Sequence, residues 1–195
     1  MNIQVKSSNG ITLVPAESRL LSDRKIFIEG EINEKTALEF LKQMMILVKE
    51  DKNLPIDVLI NSPGGKINSG LMMYDVIQSC EATVRMFCIG GAYSMAAVLF
   101  ASGKHGRFML PNSELMLHEP LISNGVSGNA SSIQSISESL LATREKMNGI
   151  LAKHTGKTVE EIEEATRFDH YYSAEESIAF GLADEIAGFE KIMEG

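Results

Sequence analysis

The sequence predicts an α/β fold with a largely parallel sheet. Short apolar strands alternate with amphipathic helices, turn residues interrupt the chain where strands end, and no linker or internal repeat divides it. The chain has 195 residues, of which 44% are hydrophobic, enough for one core and hardly enough for two. We therefore expect a single domain spanning residues 1–195.

The first half of the chain predicts two strand–helix units. KIFIEG is typical of a strand, and NEKTALEFLKQMMILVKE is typical of a helix capped by Asn33. The apolar residues expected on one stripe of that helix are Leu38, Leu41, Met45 and Val48. LPIDVLI predicts a buried strand that stops at the turn residues 61–65, and a helix is expected from about Ile67 to Cys80.

The second half continues this alternation. TVRMFCIGG predicts a buried strand cut by a glycine pair, and AYSMAAVLFASG predicts a helix that ends at Gly103. RFMLP and ELMLHEP are typical of short strands, whereas residues 121–132 are polar, rich in Gly and Ser, and expected to be mobile. TVEEIEEATR and SAEESIAFG predict short helices, and LADEIA a last strand or turn. A long helix is expected from about Ser131 to His154, with one face formed by Ile133, Ile136, Leu140, Met147, Ile150 and Leu151.

Composition argues against several classes of function. A formal net charge of -8 disfavours nucleic-acid binding, which needs a surplus of Lys and Arg. The chain has neither a signal-peptide pattern nor the roughly 20 consecutive apolar residues that span a membrane, so we expect a soluble, cytoplasmic protein. Cys80 and Cys88 are too few for a zinc site and are interpreted as core thiols. We expect neither a metal nor a bound cofactor.

Ser94 is a candidate nucleophile because of its position. It follows the Gly90–Gly91 break at the expected start of a helix, where free backbone N–H groups favour an anion. Met95 N–H would be one donor to such an anion, and the backbone of Gly65, after the other glycine-bearing strand end, would be a second. The alternatives are that Ser94 is only a helix cap and that Ser-Pro-Gly-Gly is only a tight turn.

A serine needs a base to remove its proton, and His118 is the candidate. His118 ends the apolar segment LMLH, a position that a structural histidine at a strand edge would also occupy. Asp169 is the candidate acid that orients the base, although adjacent His170 could equally belong to the site. Spacing in the sequence does not decide between these interpretations.

Five ordered segments together resemble the proteolytic subunit of the Clp proteases. They are INSPGG, the Gly-Gly-Ala-Tyr-Ser-Met-Ala run, RFMLPNSELMLHEP, HTGKTVEEIEEAT followed by Asp169, and YYSAEESIAFGLAD. The resemblance extends from about Arg19 to Ile186. It implies a crotonase-like fold of repeated β-β-α units, with a head over about 19–186 and a protruding handle helix within the region 121–154.

The resemblance also implies specific roles for residues of this chain. It identifies Ser94, His118 and Asp169 as a catalytic triad and the backbone of Gly65 and Met95 as the oxyanion hole. Gly64, Lys66 and Ile67 would bind substrate, the last two as a strand that pairs with an extended peptide. The stretch before the handle helix would form a gate.

The implied activity is hydrolysis of unfolded polypeptides inside a closed homo-oligomeric chamber of two stacked heptameric rings. A separate AAA+ unfoldase would use the ATP and feed substrate in, docking in apolar clefts between subunits. This fits the absence of a phosphate-binding GxxxxGK[ST] pattern from the sequence.

Four features depart from the family pattern. Tyr93 replaces a small residue before the nucleophile and is expected to narrow the pocket. Glu119 replaces a glutamine and would raise the basicity of His118 if it lay close. Asp57 and Leu59 replace aromatic residues that matter for unfoldase docking, and the N-terminal MNIQVKSSNGITLVP differs from the usual axial loop.

These departures keep other functions open. One alternative is a phage-type relative that matures capsids, and another is a non-catalytic ring subunit. A third is a crotonase-like acyl-CoA enzyme, in which the same two backbone donors would hold a thioester enolate.

Overall fold

Strands and helices alternate along most of the chain, as the sequence predicts. The computed structural model describes residues 1–7, 10–122 and 125–194. The strands are β1 (Asn2–Ser7), β2 (Gly10–Pro15), β3 (Lys25–Ile32), β4 (Ile56–Gly65), β5 (Val84–Tyr93), β6 (Arg107–Met109), β7 (Glu114–Leu117), β8 (His170–Tyr172) and β9 (Glu185–Ile186). The helices are α1 (Ala16–Ser22), α2 (Glu34–Glu50), α3 (Ile67–Ser79), α4 (Met95–Ala101), α5 (Ala130–Thr155), α6 (Val159–Thr166), α7 (Ala174–Phe180) and α8 (Phe189–Met193).

Parallel pairing dominates the main sheet. Its strand order is β3-β4-β5-β6-β9, with β7 parallel to the distal part of β5 and β8 antiparallel to β7. Parallel strands need long crossovers, which α2 and α3 supply between β3, β4 and β5. The expected α/β fold with a largely parallel sheet is therefore confirmed, while the single domain over 1–195 stays a prediction.

Both glycine-bearing strands run further than predicted. β4 does not stop at Asn61 but continues through the turn-like residues to Gly65, because Glu31 and Ile32 of β3 pair with Gly64 and Gly65 after a register shift. β5 likewise passes its glycine pair and ends at Tyr93, and α4 ends at Ala101 rather than at Gly103. Tertiary pairing overrides the local turn preference of these residues.

Helix α2 forms as predicted but buries a different face. Asn33 caps it, and the Thr36 hydroxyl accepts the Asn33 backbone N–H, which completes a reciprocal capping box. The residues that face the core are Ala37, Phe40, Met44 and Leu47. The residues predicted to share one stripe lie beside this face: Val48 packs against the core, whereas Leu38 and Met45 remain 49% and 64% exposed in the single chain.

The long helix α5 matches the expected handle within a residue or two. Its C-terminal part packs against the head through Met147, Asn148 and Leu151. In its N-terminal part, Ile133 and Ile136 of the predicted apolar face remain exposed. Of the predicted segment 121–132, residues 130–132 belong to α5, residues 123 and 124 lie outside the described residues, and the others carry neither helix nor strand. The expected mobility and gating of this segment stay predictions.

Five elements were not anticipated from the sequence. The hairpin β1–β2 pairs antiparallel from Asn2 with Pro15 to Ser7 with Gly10, and α1 follows it directly. The short strand β8 and the last helix α8 also escaped the sequence analysis. Within the described parts of the chain, no helix is long and apolar enough to cross a membrane.

Arg107 joins the ends of three helices to the sheet. Its Nη1 shares two hydrogens among three carbonyls: Ala101 O of α4 at 3.3 Å, His154 O of α5 at 3.1 Å and Gly181 O after α7 at 2.7 Å. Its remaining nitrogens pair with the Asp184 carboxylate. Helix C-termini leave carbonyls without intrahelical donors, so one guanidinium satisfies acceptors from all three.

Candidate active site

Ser94 occupies a strained turn between strand and helix. It follows the last residue of β5 and precedes α4, with φ 54 and ψ -124, which few non-glycine residues adopt. Its N–H donates to Met116 O of β7 at 2.8 Å, and its C=O accepts from Val98 N–H at 3.2 Å. The Ser94 side chain makes no capping hydrogen bond. The hydroxyl is therefore not used to cap α4, which argues against the alternative that Ser94 is only a helix cap.

His118 lies within hydrogen-bonding distance of that hydroxyl. The His118 Nε2 to Ser94 Oγ distance is 2.7 Å. Sheet register explains the contact, since Tyr93 pairs with Met116 and both candidate residues follow at the same edge of the sheet. In the tautomer protonated at Nδ1, Nε2 accepts the serine proton, which is the arrangement that general-base activation requires.

Asp169 approaches the other ring nitrogen of His118 without a hydrogen bond. Its Oδ1 lies 3.9 Å from His118 Nδ1, and its side chain is 63% exposed against 17% for His118. A closure of about 1 Å would bring the two atoms to hydrogen-bonding distance. The adjacent alternative, His170, stacks instead on Tyr172, with ring centroids 4.3 Å apart.

Two glycines at the end of β4 allow close approach to the nucleophile. Gly64 has φ 87, and a Cβ there would lie 2.5 Å from Tyr93 O and 2.9 Å from Ser94 Cβ. Gly65 has φ 149, and a Cβ there would overlap the backbone of Ile32. Gly65 and Met95 both line the cleft, and Met95 N–H, at the first position of α4, has no intrahelical acceptor.

Ser62 holds this glycine turn in place and was missed by the sequence analysis. Its hydroxyl donates to Gly30 O at 2.5 Å and accepts Gly64 N–H at 3.1 Å, in a buried setting. Asn61 instead holds the glycine pair of β5, since its Oδ1 accepts Gly91 N–H at 3.1 Å. The available signal was the Asn-Ser pair itself, because short polar side chains commonly hydrogen-bond the backbone of their own turn.

The predicted substrate-pairing strand at Lys66 and Ile67 is wrong in its secondary structure. α3 begins at Ile67, and Lys66 N–H already donates to Ile32 O at 2.7 Å. Lys66 Nζ bonds both carboxylate oxygens of Glu34 at 2.9 and 3.0 Å, and this hydrogen bond is the main reason that the pKa of Glu34 is lowered. Lys66 and Ile67 do line the cleft. A role of these residues in substrate binding stays a prediction.

The cleft that contains Ser94 and His118 is large. Its volume is about 1300 Å³, above the roughly 300–1,000 Å³ of pockets for small molecules. Helices α2, α3, α4 and α5 contribute mainly apolar side chains, among them Leu38, Met72, Val98, Ile136 and Leu140. Such a groove suits an extended chain with apolar side chains better than a compact polar ligand.

Two residues that depart from the family pattern, Tyr93 and Glu119, make contacts other than those expected. Tyr93 does not line the cleft: its ring lies over Gly91, and its hydroxyl donates to Glu114 Oε1 at 3.1 Å. Burial, and then this carboxylate, raise the pKa of Tyr93. Glu119 pairs with Arg144 of α5 at 3.5 Å and donates its N–H to Thr166 O, so its carboxylate is engaged by α5 rather than by the imidazole.

Among the described residues, no group of three or more His, Cys, Asp or Glu side chains is arranged to hold a metal ion. Cys88 is buried, and burial raises the pKa of its thiol. Cys80 is half-buried, and neither cysteine forms a disulfide.

Comparison with known families gives a match over nearly the whole chain. The family model described as Clp protease matches residues 8–190. The matched range contains Ser94, His118, Asp169 and both glycines of the turn. Together with the mainly parallel α/β sheet, the match is consistent with the expected crotonase-like fold, and it confirms the resemblance drawn from the five sequence segments.

Proposed function

The chain belongs to the Clp protease family and is therefore a peptidase, and on that premise we propose that it is a serine endopeptidase that cleaves unfolded polypeptides with Ser94 as nucleophile. The observation that carries this proposal is the 2.7 Å contact between His118 Nε2 and an otherwise uncommitted Ser94 hydroxyl. Both groups open onto a cleft large enough for an extended chain.

In the proposed mechanism His118 Nε2 takes the Ser94 proton while Oγ adds to the scissile carbonyl carbon. The carbonyl oxygen becomes an oxyanion that accepts hydrogen bonds from the backbone N–H groups of Gly65 and Met95. His118 then protonates the leaving amine, and the C–N bond breaks to leave an acyl-enzyme. The same imidazole then deprotonates a water that adds to the ester carbon, and the imidazolium returns this proton to Ser94 Oγ as the C–O bond breaks.

Asp169 is proposed to orient His118 and to stabilise the imidazolium that forms in each step. Its present 3.9 Å separation corresponds to an open arrangement, which would close as the positive charge develops on His118. Because Asp169 precedes β8, a small shift of this exposed edge would be sufficient. The proposal needs no cofactor or metal, since an imidazole and two backbone donors supply the acid–base and electrostatic chemistry.

Substrate binding is assigned to Gly64 together with Lys66 and Ile67, of which Lys66 and Ile67 line the cleft. The backbone N–H of Lys66 is already paired with β3. Its carbonyl accepts Gly70 N–H within α3 at 3.0 Å. Pairing with a peptide would therefore fall to backbone groups of Gly64 and Gly65 other than the Gly64 N–H, which Ser62 Oγ accepts, while Lys66 and Ile67 contribute side chains.

The assembly is proposed to be two stacked heptameric rings that work in the cytoplasm with a separate AAA+ unfoldase, which uses the ATP. Exposed apolar side chains outside the cleft on two helices support this: Met45 and Ile46 on α2, and Ile133 and Leu141 on α5. Exposed apolar patches on a protein surface often mark an interface. Sedimentation of the purified chain at several concentrations tests the assembly, and a monomer under every condition would refute it.

The catalytic proposal is tested by labelling with a fluorophosphonate and by peptide hydrolysis. Mass spectrometry should find the label on Ser94, and Ser94→Ala should lower kcat by roughly 10⁶, as triad knockouts do. Ser79→Ala, at an exposed serine of α3, is the matched control and should keep the parental rate. A Ser94→Ala protein that cleaves a fluorogenic peptide normally would rule out the assignment, and an unlabelled chain would favour a non-catalytic subunit or an acyl-CoA enzyme.

A further inference from the structure

The residue before the candidate nucleophile belongs to a row of side chains that crosses three strands. Tyr93 of β5 pairs with Met116 of β7, and Met116 pairs with Tyr171 of β8. Directly opposite residues in a sheet present their side chains to the same face. The rings of Tyr93 and Tyr171 meet on that face, with centroids 6.1 Å apart and planes at 70°. This edge-to-face geometry is favourable for aromatic rings, so the pair links β5 to β8 across the strand between them.

The Tyr93 ring is held firmly on its side of this contact. It lies over Gly91, where an added Cβ would lie 2.6 Å from both Cζ and the hydroxyl oxygen. Its hydroxyl donates to Glu114 Oε1 of β7 at 3.1 Å. Tyr171 is 52% exposed and belongs to a strand of only three residues. The aromatic contact therefore joins a fixed ring to a short strand.

The register of that short strand also places the candidate orienting acid beside the base. Leu117 pairs with His170 in the antiparallel ladder of β7 and β8. One step further, the same register sets His118 opposite Asp169, and the His118 Nδ1 to Asp169 Oδ1 distance is 3.9 Å. Tyr171 and Asp169 are two residues apart, so their side chains point to the same face of the strand. A movement of β8 that separates the two tyrosine rings therefore also moves Asp169 relative to His118.

Asp169 has little packing of its own to hold it in place. Its side chain is 63% exposed, and the preceding residue, Phe168, is 77% exposed. The position of Asp169 therefore depends on the strand that follows it. On the outward face of that strand, the Tyr171 ring contacts the anchored Tyr93 ring.

We propose that Tyr93 and Tyr171 are positioning residues, which hold β8 so that Asp169 stays within reach of His118. The proposal rests on the proposed function, because it needs Asp169 to act as the orienting acid. Without the aromatic contact, β8 drifts from the imidazole, and His118 lacks its orienting partner for a larger fraction of the time. Neither tyrosine lines the cleft, so their loss should affect kcat rather than KM.

The test measures hydrolysis of a fluorogenic peptide by variants of the full chain, compared as material of the same sedimentation coefficient. Tyr171→Ala should lower kcat by about two- to tenfold, the bias that one aromatic pair gives to an equilibrium, and should leave KM unchanged. Tyr171→Phe keeps the ring and should keep the parental kcat. Phe168→Ala removes an exposed ring next to Asp169 and is the matched control, which should also keep the parental kcat.

A double-mutant cycle separates positioning from a general structural role. If the tyrosine pair acts through Asp169, Tyr171→Ala should cause no further loss of kcat when Asp169 is already replaced by Asn, because effects that share one route are not additive. A variant that merely loosened the fold would lower kcat by the same factor in both backgrounds.

Three results would overturn the proposal: a parental or raised kcat in Tyr171→Ala, an equal loss in Phe168→Ala, or an undiminished effect of Tyr171→Ala in the Asp169→Asn background. If Tyr171→Ala does not fold, Tyr93→Ala decides by the same criteria. Labelling of the parental chain by a fluorophosphonate keeps the two proposals apart. A chain that is labelled at Ser94 but gives one of the three results refutes the positioning role alone, whereas an unlabelled parental chain refutes the proposed function and the positioning role with it.

Discussion

Replacing Arg107 by Met should destabilise the head more than any surface arginine could. The Arg107 side chain is 11% exposed, and Met keeps most of its apolar stem while removing every side-chain donor. Three carbonyls at the ends of α4, α5 and α7 lose a charged partner, at about 1 kcal/mol each. The Asp184 pair adds up to about 1 kcal/mol more, because Asp184 is 45% exposed and partly screened by water. The expected loss is about 4 kcal/mol.

Urea unfolding followed by circular dichroism at one fixed protomer concentration measures this loss, since oligomer formation makes apparent stability concentration-dependent. The matched control is Arg167→Met, because Arg167 is 65% exposed and pairs with Glu164 at 3.6 Å only. Its cost should stay below about 0.5 kcal/mol. A loss below about 1 kcal/mol for Arg107→Met, or equal losses for the two variants, would refute the reasoning that one guanidinium caps three helices.

Further expected outcomes concern the site and the pH dependence of stability. Gly64→Ala forces a Cβ to within 2.5 Å of Tyr93 O and should abolish peptide hydrolysis. In Gly149→Ala the added Cβ has no heavy atom of another part of the protein within 4 Å, so this variant should stabilise α5 by about 0.5–1 kcal/mol in urea unfolding. Asp169→Asn should lower kcat by about 10⁴ and His170→Asn by less than threefold; equal effects would dismiss Asp169 as the orienting acid. Burial first, and then nearby cations, lower the pKa of His154 from 6.5 to about 4. The unfolded chain therefore binds more protons between these values, and about 1–2 kcal/mol of stability should be lost as pH falls from 6.5 to 4, less so in His154→Gln.

Much of the fold could be predicted from local pattern because apolar periodicity and caps act over a few residues. Asn33 predicted the start of α2, and α5 was predicted within one or two residues at each end. The errors arose where distant pairing decides. β4 continues to Gly65 because β3 offers it partners, and the buried face of α2 depends on how the helix sits on the sheet. A count of apolar residues does not predict either.

In the candidate site, too, local pattern predicts some features and distant contacts decide the others. Ser94 and His118 could be proposed from glycine breaks and strand ends, and the family from five segments, because residue type and order carry that information. Their 2.7 Å contact depends on the register of β5 against β7, which no local pattern predicts. The role of Ser62, the pairing of Glu119 with Arg144 and the direction of the Tyr93 ring also depend on neighbours distant in the chain.

Residue chemistry and spacing by themselves determined which groups are available in this protein: a hydroxyl at a helix start, an imidazole at a strand end, and glycines where the backbone must come close. Only the tertiary structure decided which groups meet. It brought Ser94 to His118, left Asp169 at 3.9 Å, and buried Asp57, which the sequence analysis had linked only to partner docking, between Lys25 and Arg85. The physical reason is the separation along the chain over which each effect acts. Propensity and capping act within a few residues, whereas contacts between distant residues are set by strand register and packing, which depend on the whole chain at once.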